Sequence, residues 1–313
     1  MDYDKHDRIV RRYYGDDYSA RAVGINRHID SGYIDIIRFF GREAVDPASV
    51  NLIYDPQPFA FADPIIAEFA AKSAQAMRLE GRLYDGPMVT KLKAADLLGA
   101  SKSLTLQPVD YALQAGSCLA LDFEHPLFAG SGGTLRSYWK SNYPGTTLES
   151  NPLPVCLGVC GLLAIETAAG ATELLCQRRS EEVSSLEKSV GTSVAGLVDW
   201  NPVFGTLSDL IADAMNREII EELGLMPGEY SLTPLAYARE IFRGERPQVF
   251  CLVTSELSKS DVESRVGALR PSHPEHDSFF WMTFSKDPAA DNLDELNHEA
   301  RMNYYLLEEL PAR

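Results

Sequence analysis

The sequence predicts an α+β protein built on a layered mixed sheet, and three observations carry that prediction. Strand-like and helix-like stretches interleave irregularly, which disfavours a doubly wound parallel sheet. Hydrophobic residues make up 45% and charged residues 24% of the chain, the composition of a folded globular protein. Its 313 residues suffice for one large domain or two ordinary ones. A turn-rich run from Asn142 to Pro154 marks the expected boundary, giving an α/β amino-terminal region over 1–150 and a second domain over 151–313.

The elements follow in order. The first 30 residues are polar and aromatic without a clear period. Ile34 to Phe40 and Val50 to Tyr54 read as short strands. Asp63 before Pro64 opens a helix in which Ile65, Ile66, Phe69, Ala70 and Met77 recur at helical spacing up to Gly81. Met88 to Leu92 and Ser103 to Leu106 alternate like strands about a turn near Gly99, and Gly130 to Thr134 reads as a turn. After the boundary, the apolar run Pro154 to Ile165 and the strand Glu173 to Arg178 flank a hairpin turn at Ala168 to Gly170. Ser193 to Val198, Leu232 to Phe242, Gln248 to Thr254 and Phe279 to Phe284 supply further strands. Two helices are expected here, Leu207 to Leu223 and Leu293 to Leu310.

Charge and cysteine usage bound the function. The 45 acidic and 29 basic residues give a net charge of −16, which repels a phosphate backbone and argues against a nucleic-acid polymer as partner. No window reaches the apolar length of a membrane span, so a soluble, cytoplasmic protein with no membrane partner is expected. The five cysteines are odd in number and lack metal-ligand spacing, which favours buried free thiols.

The chemistry concentrates in Arg217-Glu218-Ile219-Ile220-Glu221-Glu222-Leu223-Gly224-Leu225. Thr206 and Asp209 resemble a capping box at the start of this helix, Gly224 and Pro227 mark its end, and Leu207, Leu210, Ile211, Ala214, Ile220 and Leu223 form its apolar stripe. Glu218, Glu221 and Glu222 stand at i, i+3 and i+4, so their carboxylates share a face. Like charges at that spacing repel by some tenths of a kcal/mol, roughly 0.2–0.5 per pair, and carboxylates near a helix C-terminus oppose its dipole. A hard divalent cation removes both penalties, and Mg²⁺ or Mn²⁺ with substrate phosphates would suit this set. Arg217 lies four residues before Glu221 and can pair with it. Glu-rich turns are common on solvated helices; the preceding Arg and the following Gly-aliphatic pair distinguish this one.

This segment resembles the second half of the Nudix box, in which Gly, five residues, Glu and seven residues precede Arg-Glu-aliphatic-any-Glu-Glu-any-Gly-aliphatic. The first half departs: Asp209 stands at the Glu position, Val203 at the Gly position, and Gly205 is displaced by two. The resemblance implies an α/β/α sandwich around a mixed sheet over about 154–311 and hydrolysis of a nucleoside diphosphate linked to another moiety. It implies Glu218, Glu221 and Glu222 as metal ligands, Arg217 as their orienting partner, and Asp209 and Gly224 in support. It further implies a carboxylate base, Glu221 or a loop acid, here Glu275 with Asp277 second. Gly196, in Ala195-Gly196-Leu197, matches a small-residue strand that touches phosphate, and Arg178 and Arg179 are expected on substrate. The family's frequent dimerisation makes a homodimer an expectation.

Residues 83–116 resemble, more diffusely, the amino-terminal region of two-part Nudix enzymes that cleave UDP-glucose and UDP-galactose. That likeness implies a UDP-sugar substrate giving UMP and sugar 1-phosphate, with Tyr84, Lys91 or Tyr111 facing the nucleotide or packing in the core. ADP-ribose, dinucleotide and nucleoside triphosphate hydrolysis are the competing enzyme readings, and a non-catalytic nucleotide sensor or scaffold is the reading from another class.

Overall fold

Side-chain alternation along one central strand divides the molecule into layers. The computed structural model describes residues 9–10, 12–14, 32–179, 189–269, 276–285 and 293–311. In β5 (Gly158–Glu166), Val159 and Leu163 enter one core while Cys160, Leu162 and Ala164 enter another. A strand buried on both faces reads as a continuous apolar run, which is the character of residues 154–165.

The strands are β1 (Tyr33–Arg38), β2 (Asn51–Tyr54), β3 (Met88–Asp96), β4 (Ser103–Asp110), β5, β6 (Thr172–Arg179), β7 (Val190–Gly191), β8 (Val194–Leu197), β9 (Tyr230–Glu240), β10 (Arg246–Ser255) and β11 (His276–Thr283). Eight of them form a sheet in the order β1-β9-β10-β5-β6-β11, with β8 on β5 and β7 on β6. Only β10 and β5 run parallel, so the sheet is mixed.

The helices are α1 (Pro64–Leu79), α2 (Tyr111–Cys118), α3 (Leu135–Asn142), α4 (Leu207–Glu218), α5 (Lys259–Leu269) and α6 (His298–Glu308). Helix α4 covers one face of the sheet through Leu207, Leu210, Ile211, Ala214 and Met215, meeting Val159, Leu163, Val249 and Val253. Helix α6 covers the other through Ala300, Met302, Tyr304 and Leu306, meeting Cys160, Leu162, Phe250 and Leu252. The result is the expected α+β sandwich of helix, mixed sheet and helix.

A second sheet, ordered β2-β4-β3, belongs to the first half of the chain. Its Leu92, Leu104 and Leu106, with Ile66 and Phe69 of α1, join the same core that α4 caps. Isolated bridges Val89↔Asp199, Lys91↔Cys156 and Asn51↔Thr206 tie this sheet to the second half. Strand β1 crosses the division expected near residue 150, because it pairs antiparallel with β9 inside the large sheet.

Several expectations needed adjustment. The stretch Leu207 to Leu223 is not one uniform helix: after Glu218 it widens into a π turn over Ile219–Leu223. Ile211, Met215, Ile219 and Leu223, spaced by four, stay buried, so Ile219 fills the stripe position assigned to Ile220, which is exposed. The last helix begins at His298, where the Asn297 side chain accepts the N–H of Ala300 at 2.9 Å. Helices α3 and α5 had no counterpart in the sequence reading. All five cysteines are free and buried, and burial pushes the thiols of Cys118 and Cys176 up to about 12. Among the described residues no helix is long and apolar enough to cross a membrane.

Candidate active site

Helix α4 is started by Thr206, whose hydroxyl accepts the N–H of Asp209 at 3.3 Å and donates to its carboxylate at 2.8 Å. This capping arrangement fixes the helix entry. The Asp209 carboxylate is thereby turned back onto the cap. Asp209 lies eight positions before Arg217, about 12 Å of helix rise, so the expected support of Arg217 by Asp209 is not made. The carboxylate beside Arg217 is instead Asp199, Oδ2 to Nε at 3.3 Å.

Arg217 is the hub of the cluster. Its Nη1 lies 2.7 Å from Glu218 Oε1 and 3.9 Å from Glu221 Oε2. Its Nη2 donates to the Leu197 carbonyl at 2.7 Å. The sequence reading paired Arg217 with Glu221; that contact exists, but Glu218 is the closer partner. Glu222 is reached from the sheet, where Gln177 Nε2 donates to its Oε2 at 3.2 Å and also to the Ser193 carbonyl. Ser193 in turn bridges the strands, donating to the Leu175 carbonyl and accepting the Leu163 N–H, each at 2.6 Å.

The three glutamates therefore differ in setting. Glu218 is buried against β8, Glu222 is partly covered, and Glu221 is half exposed with a side chain 50% accessible. Gly196 makes Glu218's position possible. A Cβ there would sit 1.8 Å from Glu218 Oε1 and 2.6 Å from Oε2, far inside contact distance. Gly224 ends the π turn at φ 65°, a left-handed conformation that glycine adopts without penalty, and its N–H bonds to the Ile220 carbonyl at 3.1 Å.

Not every candidate joins this cluster. Gln177 shares the face of Leu175 and the glutamates, so by alternation Arg178 falls with Cys176 on the opposite face. The side chains of Arg179 and Asp277 and the whole of Glu275 lie outside the described residues. A cavity of about 640 Å³ lined by Arg12, Tyr14, Ser137, Lys140 and Glu245 lies away from the glutamate turn and contains none of its residues.

Asp199, Glu218 and Glu221 stand about the Arg217 guanidinium, and Glu222, held by Gln177, follows on the same turn. This donor set is all hard oxygen, which suits Mg²⁺ or Mn²⁺ in kind, and the cradle at Gly196 brings a glutamate onto the backbone of β8. Among the described residues no group of three or more His, Cys, Asp or Glu side chains is drawn close enough to hold an ion; Glu218 is turned to Arg217 and Glu222 to Gln177. The fit is one of ligand chemistry and local placement.

Solved structures similar to about half of this chain include three with the following likeness. A Deinococcus radiodurans protein has 19% identity and a TM-score of 0.34, covering 49% of this chain and 81% of its own. RenU, a Nudix hydrolase from M. smegmatis, has 15% identity and a TM-score of 0.31, covering 49% and 83%. The Ap4A hydrolase of C. elegans in a binary complex has 15% identity and a TM-score of 0.31, covering 49% and 94%. No family model and no curated protein matches.

Gln177, Ser193 and Asp199 are the residues sequence reasoning missed. One signal pointed to Gln177, a polar side chain two residues beyond Leu175 on a strand face that is otherwise apolar. Asp199 carried no signal of its own, since Asp199-Trp200-Asn201-Pro202 reads as an ordinary turn.

Proposed function

We propose that this chain is a Nudix-type pyrophosphohydrolase that cleaves a nucleoside diphosphate linked to another moiety, with Mg²⁺ or Mn²⁺ as cofactor. The observation that carries the reading is the gathering of Asp199, Glu218 and Glu221 about Arg217, with Glu222 beside them, on a turn whose sequence matches the second half of the Nudix box. Glu218, Glu221 and Glu222 would hold the ion. When bound, it would neutralise charge on the phosphoryl oxygens and lower the pKa of the attacking water.

The chain's own residues supply the rest. Arg217 orients Glu218 and Glu221, Gln177 orients Glu222, and the bare Gly196 leaves room for the Glu218 carboxylate against β8. Glu221, the most exposed of the three, or Glu275 accepts the proton of the water as its oxygen joins phosphorus and the bridging P–O bond breaks. Residues 1–150 shape the substrate side, a role supported by the bridge from Val89 of β3 to Asp199, just after β8. Within this class we favour a UDP-sugar, yielding UMP and sugar 1-phosphate.

A panel of UDP-glucose, ADP-ribose and dinucleotides with Mg²⁺, monitored for release of UMP or AMP, tests the proposal. UMP from UDP-glucose is expected; AMP from the others would move the substrate while keeping the reaction, and no turnover on any member would sink it. The altered positions Val203 and Asp209, and carboxylates held by Arg217 and Gln177, favour the second reading of a nucleotide sensor. Metal-independent nucleotide binding without turnover would select it.

A further inference from the structure

We propose that Asp199 is the residue that positions Arg217, and that through it the amino-terminal sheet sets the placement of Glu218 and Glu221. The proposal rests on the hydrolase reading above for its consequence, but its geometric basis is independent of it. A guanidinium is a planar fork of five N–H donors, so contacts on two edges fix its plane. One edge of Arg217 faces the end of β8 and the segment after it, with Nη2 on the Leu197 carbonyl at 2.7 Å and Nε beside Asp199 Oδ2 at 3.3 Å. The remaining nitrogen, Nη1, faces Glu218 at 2.7 Å and Glu221 at 3.9 Å. The same side chain is therefore anchored on one side and presents its charge to the glutamates on the other.

The anchor is itself held from the first half of the chain. Buried Thr90, on β3, donates its N–H to the Val198 carbonyl at 2.8 Å and its hydroxyl to the Asp199 carbonyl at 2.9 Å. Trp200 then donates to the Met88 carbonyl at 2.9 Å. These bonds flank Asp199 on both sides and clamp its backbone to the edge of β3. Asp209, the acid in the box position, is bonded to Thr206 and sits at the far end of α4.

Partners that hold a ligating side chain in place are worth about 10–100-fold in metal affinity or activity when removed. The test uses the full chain and two readouts. The first is Mn²⁺ titration followed by electron paramagnetic resonance. Asp199→Asn should weaken Mn²⁺ binding at least tenfold, Asp199→Glu should restore part of it, and Asp209→Asn should leave it unchanged, with Glu222→Gln as the ligand control. The second is hydrogen exchange of the Arg217 Nε–H by NMR, without metal. Exchange should be slow in the wild type and in Asp209→Asn, and fast in Asp199→Asn.

Loss of Mn²⁺ binding in Glu222→Gln but not in Asp199→Asn would overturn the role of Asp199 and spare the metal site. A wild type that takes no Mn²⁺ would overturn the hydrolase reading and the metal consequence drawn here, while the exchange experiment would still judge whether Asp199 holds Arg217. Equal exchange in the wild type and Asp199→Asn would refute that contact outright.

Discussion

Two of the glutamate–arginine assemblies in this molecule are built in opposite ways. Between the sheet and α6, Glu240 accepts Arg243 Nε at 2.7 Å, lies 3.3 Å from Arg246 Nε and meets His298 Nε2 at 2.7 Å. Glu299 is paired with Arg243 and lies 2.7 Å from Arg246 Nη2. Both glutamates are buried. Burial would raise their carboxyls, but Arg243, Arg246 and His298 outweigh it, holding Glu240 well below the ordinary carboxylate range and Glu299 down to about 2. At the glutamate turn, Asp199, Glu218 and Glu221 stand about Arg217, and the Glu221 side chain is half exposed. A sealed network spends its charges on one another; an open one keeps a carboxylate within reach of solution. The contrast separates the two more sharply than any count of acidic residues.

The largest way to break this comparison is to remove a partner from the sealed side. Glu299→Gln should cost about 3–5 kcal/mol, because Arg243 and Arg246 would be left buried and undercompensated. Urea unfolding would show it, and the fraction still folded should keep its activity. The pH sign follows from depressed folded pKa values: this stability is present above the ordinary value near 4.5 and is lost as pH falls through about 2. A wild type whose stability is flat between those limits would contradict the network's role.

Glu222→Gln, on the open side, should lower turnover by about a hundredfold or more while leaving the urea midpoint in place. An unfolding midpoint that moves with activity would make the cluster structural after all. Lys91 offers an intermediate case. It is 3% exposed, with no carboxylate at ion-pair distance among the described residues, and burial lowers its ammonium to about 8. Because the unfolded chain holds its proton up to about 10.5, stability should rise as pH climbs from 8 toward that value. Lys91→Met should abolish the rise and add about 3 kcal/mol at neutral pH, measurable by thermal unfolding across pH. The smallest effect is expected from Gly196→Ala, whose methyl must displace the Glu218 carboxylate. About a tenfold loss of turnover with little change in stability would agree with the cradle, and an unchanged rate would remove Gly196 from the site.

What the sequence made legible follows the range of the interactions. The capping pair Thr206 and Asp209, the stop at Gly224 and the glutamate spacing are all local, and a helical period exposes them directly. Helix α5 escaped because only Val262 and Val266 are buried along it, too few to print a period. Helix α3 escaped because its N-cap, Thr134, closes a glycine-rich run that reads as a turn. Asp199 and Gln177 reach the site through strand register, with β6 and β8 set beside β5, and no spacing along the chain encodes that. The same distinction explains Asp209, which was judged by its place in a pattern while its side chain was already committed to a cap.

The edge position of β1 has a consequence for how the protein is made. Tyr33 leaves the ribosome roughly two hundred residues before its partner Glu240, a delay of roughly 10–40 s at ordinary rates of synthesis. Until β9 arrives, an apolar strand must wait without its sheet, and pairing so distant in sequence folds slowly. The nascent chain is therefore most in need of a chaperone during synthesis of residues 39–229, and a fragment that begins at residue 151 would leave the β9 edge open to association with its own copies.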